Sequence, residues 1–456
     1  MLKVTFHGAV RTVTGSMHLV EAGDVRILLD CGLFQGRRTD FYRVNAQFPF
    51  HPSDIDAVIL SHAHLDHCGN LPTLVRKGFH GSIYCTPATR DLAALVLRDS
   101  AKVQHQDVRF VNKIRARRGQ PAVAPLYAAD EAEQAIAQLK VIPYRQEFQI
   151  GPARVTLLDA GHILGSAITV LEAQGRTLGF SGDIGRLDAP ILRDPEVPPE
   201  IDVMLLESTY GDRRHESFAD GEHTLAEVVR ETVARGGHVL IPSFALGRAQ
   251  DLTYALHRLR EAGEIPAVDT FVDSPMATDA TEIYRDHPEC FDDEIRGHLT
   301  RHDPFGFKQL RYVRSVEESK QLNDRTQPFI VIATSGMCES GRILHHLRHH
   351  IGDPRSALLI VSFQAANTLG RRLADGVSPV NLFGEPHEVR LHVRKIEAFS
   401  AHADSDGLVN WVRRIRHIGR IYCVHGEEHQ AQALAGRLAA QDLVVEIPMP
   451  GQQIST

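Results

Sequence analysis

Short apolar runs alternate with polar turn residues along the first part of the chain. The runs at 4–10, 16–22 and 25–32 are bounded by Gly or Asp and have the composition of strands. They predict an antiparallel meander. A continuous apolar run follows at 55–61, and residues 90–104 have the apolar spacing of a helix. Strand, loop and helix then begin to alternate, which predicts an α/β protein.

The stretch at 113–125 is basic and contains proline, so we predict an exposed loop there. A helical pattern follows at 130–139. Further strands are predicted at 154–160, 167–173, 177–183 and 203–209. The part of the chain before residue 210 is therefore rich in strands and interrupted by helices.

A different pattern begins after Tyr210, where strands and helices follow one another in pairs. This alternation predicts a smaller parallel-sheet domain built of βαβ units. Strand-rich sequence returns from about residue 386. Metal-type residues are frequent in the first and last parts but sparse in the middle one, so the middle domain looks inserted. The predicted division is 1–209, 210–385 and 386–456, with the outer segments forming one domain.

Composition narrows the class of protein. With 456 residues, 43% of them hydrophobic, the chain can bury a large core. The start has no signal-peptide pattern, the apolar runs are too short for a bilayer, and the six cysteines form no CxxC pair. We therefore expect a soluble cytoplasmic protein that does not enter a membrane. The net charge of -7 argues against a generally basic nucleic-acid-coating protein but leaves local binding open.

The segment HAHLDH supplies four potential metal ligands directly after the apolar run at 55–61. His62, His64 and Asp66 are expected to share one face of an extended chain, with a turn bringing His67 round. Imidazole and carboxylate ligands suit Zn²⁺ or a similar ion. Four ligands from one loop exceed what one ion with an open position would take, so we predict two ions.

Three further ligands are predicted where other strands end. His162, Asp183 and His425 each follow an apolar strand, and His162 and Asp183 have Gly neighbours that permit close packing. Taken singly, each is more often a structural residue than a ligand. Their shared position at strand ends favours a common metal site.

These motifs resemble a known family. HAHLDH, GH at 161–162 and GDIG at 182–185 resemble the metallo-β-lactamase superfamily, and ESTYGDR, TSGMCESGRILHH, FSAHAD and VHGEE resemble its β-CASP branch. The likeness covers essentially the whole chain. It is strongest to the RNA-cleaving group related to the mRNA 3′-end processing endonuclease. The chain begins at its first strand and stops soon after VHGEE, so we do not expect the terminal domains that some relatives carry.

The resemblance implies a fold and a ligand assignment. The fold would be an αββα sandwich with an inserted parallel-sheet α/β domain, the β-CASP domain. One zinc would be held by His62, His64 and His162, and the other by Asp66, His67 and His425. Asp183 would bridge the two ions.

Two zinc ions predict a hydrolytic reaction. A bridging water would lose its proton near neutral pH, and the hydroxide would attack phosphorus in line. The departing ribose oxygen needs a proton, for which His402 beside Glu207 is the candidate donor, because a neighbouring carboxylate raises an imidazole's pKa. Alternatively, His402 caps a helix and Glu207 orients a ligand. We count Asp66 with these two as catalytic.

Candidate substrate contacts lie in the middle domain. Ser335 and Gly336 stand in a loop that opens a helix, where backbone amides can bind phosphate. A turn without a ligand is the plain alternative. Arg342, Arg371 and Arg372 are candidate phosphate contacts, although exposed arginines are usually only solvated.

The predicted function is zinc-dependent hydrolysis of single-stranded RNA by an endonuclease, with a 5′–3′ exonuclease mode and a homodimer left open. One alternative is a small-molecule ester, thioester or lactam hydrolase of the same metal fold. The long insert argues against it, since such enzymes need only a small pocket. The other is an inactive RNA-binding subunit, against which the complete ligand set argues.

Overall fold

The structure is a computed structural model that describes residues 1–36, 38–298, 303–365 and 367–456. The chain divides into two compact units. The first comprises Met1–Asp188, Arg193–Arg214 and His402–Thr456, and the second Ala189–Leu192 and His215–Ala401. The domain boundaries proposed from the sequence, at 209/210 and 385/386, stay predictions.

Strands are numbered here in chain order. They are β1 (Leu2–Gly8), β2 (Met17–Ala22), β3 (Val25–Leu29), β4 (Ala57–Ile59), β5 (Ser82–Cys85), β6 (Leu139–Val141), β7 (Glu147–Ile150), β8 (Ala153–Asp159), β9 (Ala167–Ala173), β10 (Arg176–Phe180), β11 (Glu200–Glu207), β12 (Val239–Pro242), β13 (Asp269–Asp273), β14 (Leu310–Tyr312), β15 (Phe329–Ala333), β16 (Ala357–Ile360), β17 (Val380–Leu382), β18 (Glu385–His387), β19 (His392–Lys395), β20 (His417–Val424), β21 (Val445–Glu446) and β22 (Gln453–Ser455).

The α-helices are numbered in the same way. They are α1 (Arg38–Asn45), α2 (Leu65–Cys68), α3 (Leu71–Arg76), α4 (Pro87–Arg117), α5 (Ala129–Ala137), α6 (Phe218–Ala234), α7 (Arg248–Glu261), α8 (Pro275–Asp286), α9 (Asp293–His298), α10 (Val316–Asn323), α11 (Ile343–His350), α12 (Leu369–Ala374), α13 (Ser405–Arg413) and α14 (Glu428–Ala439). Short 3₁₀ turns lie at Pro52–Asp54 and Pro288–Cys290.

The first unit contains two seven-stranded sheets. Their strand orders are β22-β1-β2-β3-β4-β5-β6 and β21-β20-β11-β10-β9-β8-β7. The predicted meander is confirmed, since β1, β2 and β3 pair antiparallel. Along β8 buried residues alternate with more exposed ones, the pattern of a strand that turns one face to a core. One apolar core contains inward residues of both sheets, including Phe6, Ile27, Leu157 and Leu205.

Helices cover the outer face of each sheet. Leu408 and Trp411 of α13 and Leu434 of α14 share a core with Met204 and Ile421 of the second sheet. On the other side α4 contacts β6, and α3 and α4 both contact α5. Each sheet therefore lies between a core and a helical layer, which confirms the predicted αββα sandwich.

The second unit is built around a six-stranded sheet. Its order is β14-β13-β15-β12-β16-β19, and its neighbouring strands pair in parallel. Helices follow most of these strands, as βαβ units require. The central strand β15 is buried at every position, the pattern of a strand covered on both faces. The predicted parallel-sheet α/β domain is confirmed.

One sequence prediction was wrong. The basic stretch from 113 was expected to be a loop, but α4 continues to Arg117. Lys and Arg are good helix formers, and the first proline after residue 113 stands at Pro121. Asn112 on the helix exchanges two hydrogen bonds of 2.9 Å with the backbone of Val123. These two hydrogen bonds hold the segment after the helix against the helix.

Among the described residues, no helix combines the length and the apolar composition that crossing a bilayer requires.

Candidate metal centre

The HAHLDH segment follows β4, a strand of the first sheet in the first unit. His62 and His64 stand in non-helical backbone, and α2 begins at Leu65, so that Asp66 and His67 lie on one helical turn. The expectation that His62, His64 and Asp66 share one extended face was therefore wrong. The four-residue helix separates the segment into two pairs of side chains.

His62 and His64 meet His162 and Asp183 in one group. Nε2 of His62 lies 3.1 Å from Nδ1 of His64, and Nε2 of His162 lies 3.2 Å from the same atom. Oδ2 of Asp183 is 3.4 Å from Nε2 of His62 and 3.5 Å from Nε2 of His162. Four ligand-type atoms thus surround one small volume.

The second pair from HAHLDH meets His425. Nε2 of His67 lies 3.0 Å from Nε2 of His425, which is 3.6 Å from Oδ2 of Asp66. Oδ2 of Asp183 is also 3.4 Å from Nε2 of His67, and Oδ1 of Asp183 is 3.4 Å from Nδ1 of His425. Asp183 therefore adjoins both groups. We call these side chains the metal centre: His62, His64, Asp66, His67, His162, Asp183 and His425.

The spacing of these atoms fits metal ions. Ligands about 2.0–2.1 Å from a tetrahedral Zn²⁺ are about 3.3 Å from one another. The first group shows 3.1 to 3.5 Å between His62, His64, His162 and Asp183. Nε2 of His62 and Nε2 of His162 both face Nδ1 of His64, and one shared cation would accept the lone pairs of all three nitrogens. The side chains of the metal centre therefore fit a bound metal ion.

The charge states of the side chains also suit metal binding. Burial lowers the pKa of His62 and His162 well below the ordinary value, so both are neutral. Burial alone would raise the pKa of Asp183, but the charges of His425 and His67 outweigh it, and the pKa falls. Neutral imidazole and ionised carboxylate are the forms that ligate a cation.

His67 has the opposite shift. Burial lowers its pKa, but the charges of Asp183 and Asp30 outweigh burial and raise it well above the ordinary value. Its Nδ1 lies 2.7 Å from Oδ2 of Asp30, so that nitrogen is the donor. A cation at Nε2 takes the place of the second proton, because metal binding releases protons from its ligands.

Asp30 orients this part of the centre. It sits after β3 with a left-handed φ of +59°. Oδ1 accepts from Ser61 N–H at 2.8 Å, and Oδ2 accepts from Ser61 Oγ at 2.9 Å and Ser16 Oγ at 3.1 Å. Oδ2 therefore accepts from His67 and from both serine hydroxyls. The two serines are partners that the sequence did not single out, since an isolated Ser carries no signal.

His425 is held in a strained backbone conformation. Its φ is +48°, a left-handed value that is uncommon for histidine and is seen mostly at functional sites. Its N–H donates to the Ala9 carbonyl at 2.7 Å, and its own carbonyl accepts from Ser208 N–H at 3.2 Å. Oγ1 of Thr209 lies 3.1 Å from its Nδ1. Thr209 lies in the ESTYGDR motif but was not predicted as a site residue.

His402 and Glu207 lie beside the metal centre. Nδ1 of His402 is 3.1 Å from Oε2 of Glu207 and 3.9 Å from Oδ2 of Asp183. Burial alone would lower the pKa of His402, but the negative charges of Glu207 and Asp183 outweigh it and raise the pKa to about 9. Glu207 also forms a ligand-type group with Asp183 and His425. The alternative role of His402 as a helix cap is not seen, because Asp404 is the N-cap of α13.

The backbone fixes the position of His402. His402 forms an isolated antiparallel bridge with Gly185, and Ala403 N–H donates to the Ile184 carbonyl at 2.7 Å. Ile184 N–H in turn donates to Oε1 of Glu207. A Cβ at Gly185 would come within 1.9 Å of the Gly161 carbonyl oxygen, so only glycine fits there. The GDIG loop therefore packs against His402 and Ala403.

The predicted substrate contacts all lie in the second unit. Ser335 closes its own loop, since its Oγ accepts from Glu339 N–H at 3.2 Å. Gly370 N–H donates to the Met337 carbonyl at 3.0 Å, which fastens α12 and its Arg371 and Arg372 to that loop. Arg372 has no ion pair within the described part of the chain, whereas Arg371 pairs with Asp375 at 2.8 Å.

Arg342 points into the second unit. Its guanidinium pairs with the buried carboxylate of Asp273 and donates to the carbonyls of Val313 and Arg314. Nε2 of His346 lies 2.7 Å from the same carboxylate. The role of Arg342 as a phosphate contact stays a prediction.

Three family models match the chain. The metallo-beta-lactamase superfamily matches residues 10–243, the Beta-Casp domain matches 249–373, and the Zn-dependent metallo-hydrolase RNA specificity domain matches 386–448.

Individual relatives extend over nearly the whole chain. A ribonuclease of Thermus thermophilus is 37% identical over 454 residues, which are 99% of this chain and 100% of the relative. The transcription termination factor FttA of Methanocaldococcus jannaschii is 33% identical over 442 residues, 94% of this chain and 67% of the relative. A crystal structure of a protein of unknown function from Enterococcus faecalis shares the fold, with a TM-score of 0.55, 12% identity and 99% of each chain covered.

The chain therefore belongs to the metallo-β-lactamase superfamily and to its β-CASP group. It is a metal-dependent hydrolase.

Proposed function

We propose that the chain hydrolyses phosphodiester bonds of single-stranded RNA with two Zn²⁺ ions. The broader class follows from the family and its relatives: the chain is an RNA-cleaving metallo-hydrolase. The observation that supports the finer statement is the pair of ligand groups that adjoin Asp183. Nitrogen and carboxylate ligands at tetrahedral spacing favour zinc.

In this proposal the side chains of the metal centre are divided between the two ions. His62, His64 and His162 would hold one ion; Asp66, His67 and His425 would hold the other. Asp183 would bind both. When bound, the two ions supply a nucleophilic water at neutral pH and neutralise charge on the phosphate. Asp66 is the more exposed carboxylate of the centre, 23% against 2% for Asp183, and can accept a hydrogen bond from that water.

His402 is the proposed proton donor to the departing ribose oxygen. Its Nδ1 faces Glu207 at 3.1 Å, so this carboxylate keeps Nδ1 protonated and leaves Nε2 to transfer a proton to the leaving group. The negative charge of Glu207 acts against burial to raise the pKa of His402, which favours the protonated ring that a proton donor needs. Glu207 is held in turn by Ile184 N–H, so the donor is oriented before substrate arrives.

Backbone amides of the second unit support a phosphate contact at Ser335 and Gly336. Within the described residues, the N–H groups of Gly336 and Met337 donate to no protein acceptor. Gly336 is buried, so of these two amides that of the partly exposed Met337 is the one available to a phosphate oxygen of the RNA backbone. Arg372 and Arg371 on α12 add positive charge beside that loop. Arg342 would contribute by holding the loop through Asp273.

We further propose that cleavage is endonucleolytic, with 5′–3′ exonucleolytic cleavage as an additional mode, and that the protein works in the cytoplasm. The six cysteines are buried and free, which suits a reducing compartment. A homodimer is part of this proposal, and its test is the mass in solution.

The test uses single-stranded RNA labelled at the 5′ or the 3′ end. With zinc present, we expect internal fragments from both labels, and with chelator we expect intact RNA. Release of single nucleotides from the 5′ label alone would establish exonucleolytic cleavage instead. Intact RNA at saturating zinc, together with hydrolysis of a nitrocefin-like or thioester substrate, would overturn the proposal in favour of a small-molecule hydrolase.

A further inference from the structure

Two exposed phenylalanine residues stand at the carboxyl edge of the parallel sheet in the second unit. Phe244 comes soon after β12, and Phe363 comes soon after β16, its neighbour in the sheet. Phe244 is 42% exposed and Phe363 is 41% exposed. Leaving large apolar rings in water forgoes the free energy of burial, so paired exposed rings commonly mark a binding surface.

Gly336, which follows the strand β15, contacts both phenylalanine segments. A Cβ at Gly336 would lie 3.1 Å from ring atoms of Phe244. The Gly336 carbonyl accepts from Nε2 of Gln364 at 2.9 Å and from Oγ of Ser362 at 3.4 Å, the residues on either side of Phe363. The ring of Phe244 and the two residues that flank Phe363 therefore contact the same glycine.

Hydrogen bonds hold both segments in place. Ser243, just before Phe244, donates its N–H to the Ala333 carbonyl at 3.0 Å. Nε2 of Gln364 also donates to the Ser362 carbonyl at 3.0 Å. The exposed rings thus stand on ordered backbone, and little conformational entropy is lost when a ligand covers them.

Positive charge and the backbone amide of Met337 adjoin the same edge. The helix α12 is fastened to the loop after Gly336 through Gly370 N–H and the Met337 carbonyl. It carries Arg372, which has no ion pair in the described ranges. Aromatic faces beside cations and backbone donors are the combination that binds single-stranded nucleic acid. A protein partner would not require the phosphate-type donors, so RNA is the occupant that this chemistry favours.

We propose that Phe244 and Phe363 stack on nucleobases of single-stranded RNA. The proposal rests on the proposed function, because it assigns a base-binding surface to that substrate. Since every base has a π-face, stacking gives affinity with little sequence preference. Paired strands hide their base faces, so the surface selects unpaired RNA.

The test compares substitutions that keep or remove the aromatic face. Phe244→Leu and Phe363→Leu retain apolar volume but lose the ring, whereas Phe244→Trp and Phe363→Trp retain a stacking face. Each is made with His402→Ala, so that the labelled RNA stays intact while fluorescence anisotropy measures its affinity. We expect the Leu variants to bind about tenfold more weakly and the Trp variants within about threefold of the parent. Phe383→Leu is the control, because Phe383 is 51% exposed in the same unit but rests against His345.

Abasic RNA of equal length separates stacking from backbone binding. The Leu variants and the parent should bind abasic RNA equally, because the base is already missing. Equal affinity of Leu variants and parent for normal RNA would overturn the proposal. A loss of RNA affinity in the Trp and Leu variants alike would also overturn it. A change in the solution mass of the Leu variants would overturn it too, because this edge would then be a contact between copies of the chain. RNA cleavage by the wild-type chain is scored separately, so failure of the proposed function is distinguishable from failure of stacking.

Discussion

Nδ1 of His402 lies 3.1 Å from Oε2 of Glu207 at the edge of the metal centre. His402 is held by its backbone bridge to Gly185, and Glu207 is held by Ile184 N–H. Both constraints come from the loop that carries Asp183. The same short loop therefore positions the proposed bridging ligand and the proposed proton donor, and the two roles can be separated by mutation.

Replacing His402 by Ala removes the proposed donor and none of the metal ligands. We expect unchanged zinc content and turnover lower by about 10²- to 10⁴-fold, the usual contribution of a general acid. Metal analysis and single-turnover cleavage measure the two quantities on one sample. His429→Ala is the control, because this exposed histidine of α14 should leave both unchanged. Loss of zinc in His402→Ala would make His402 a structural residue.

Replacing Asp183 by Asn should weaken both metal sites together. Oδ2 of Asp183 lies 3.4 Å from Nε2 of His62 and of His67, so one change removes negative charge from both groups. We expect fewer than two zinc ions per chain and no measurable cleavage. Asp202→Asn, at a half-buried carboxylate paired with Arg176, is the matched control. Retention of two zinc ions per chain at wild-type affinity would show that the ions bind independently of Asp183.

Asp30→Asn tests the residue that orients His67. The carboxylate accepts from His67 Nδ1 at 2.7 Å, and loss of its charge should lower zinc affinity about 10- to 100-fold, as for other outer carboxylates. Ser16→Ala removes one weaker hydrogen bond of 3.1 Å to Asp30 and should have a smaller effect. Competition with a zinc chelator gives both affinities. Equal affinities for wild type and Asp30→Asn would contradict the role.

Asp273→Asn should destabilise the second unit. Asp273 is buried and pairs with Arg342, His346 and Ser319. Removing one partner of a buried charge network costs about 3–5 kcal/mol. Urea denaturation should show the loss, while zinc content stays the same. His349→Ala, at an exposed position of α11, should change neither. A free energy of unfolding unchanged in Asp273→Asn would refute the structural role.

The stabilising effect of Asp273 should depend on pH. Burial alone would raise its pKa, but hydrogen bonds from His346 and Ser319 outweigh burial and lower it. A lowered pKa means stability that is present above the ordinary carboxyl pKa of about 3.9 and lost as pH falls through the folded value. The difference between wild type and Asp273→Asn should therefore stay level from pH 7 to 5 and shrink only in stronger acid. A difference that shrinks between pH 7 and 5 would point to another group.

Much of the metal centre could be predicted from the sequence because its residues end strands. His162 and Asp183 follow β8 and β10, and His425 follows β20, so an ordinary strand pattern places them at one edge. The sandwich and the parallel sheet followed from the same patterns together with the family resemblance. The prediction of one extended face for His62, His64 and Asp66 was wrong at Asp66, because one helical turn moves this side chain away from His62.

Other features depend on long-range contacts that no local pattern carries. The segment after α4 lies against the helix because Asn112 binds the backbone of Val123. Arg342 is drawn inward by Asp273, which is remote in sequence. The left-handed backbone of His425 depends on hydrogen bonds to Ala9 and Ser208. Each of these features can be recognised only in the folded chain.

Titration of the metal-free chain with zinc tests the central claim most directly. Bound zinc and the initial rate of RNA cleavage are measured at each addition. We predict binding of two ions per chain, with cleavage rising as the second ion binds, because both ligand groups adjoin Asp183. Full cleavage with a single ion, or cleavage that persists without metal, would contradict the two-ion account.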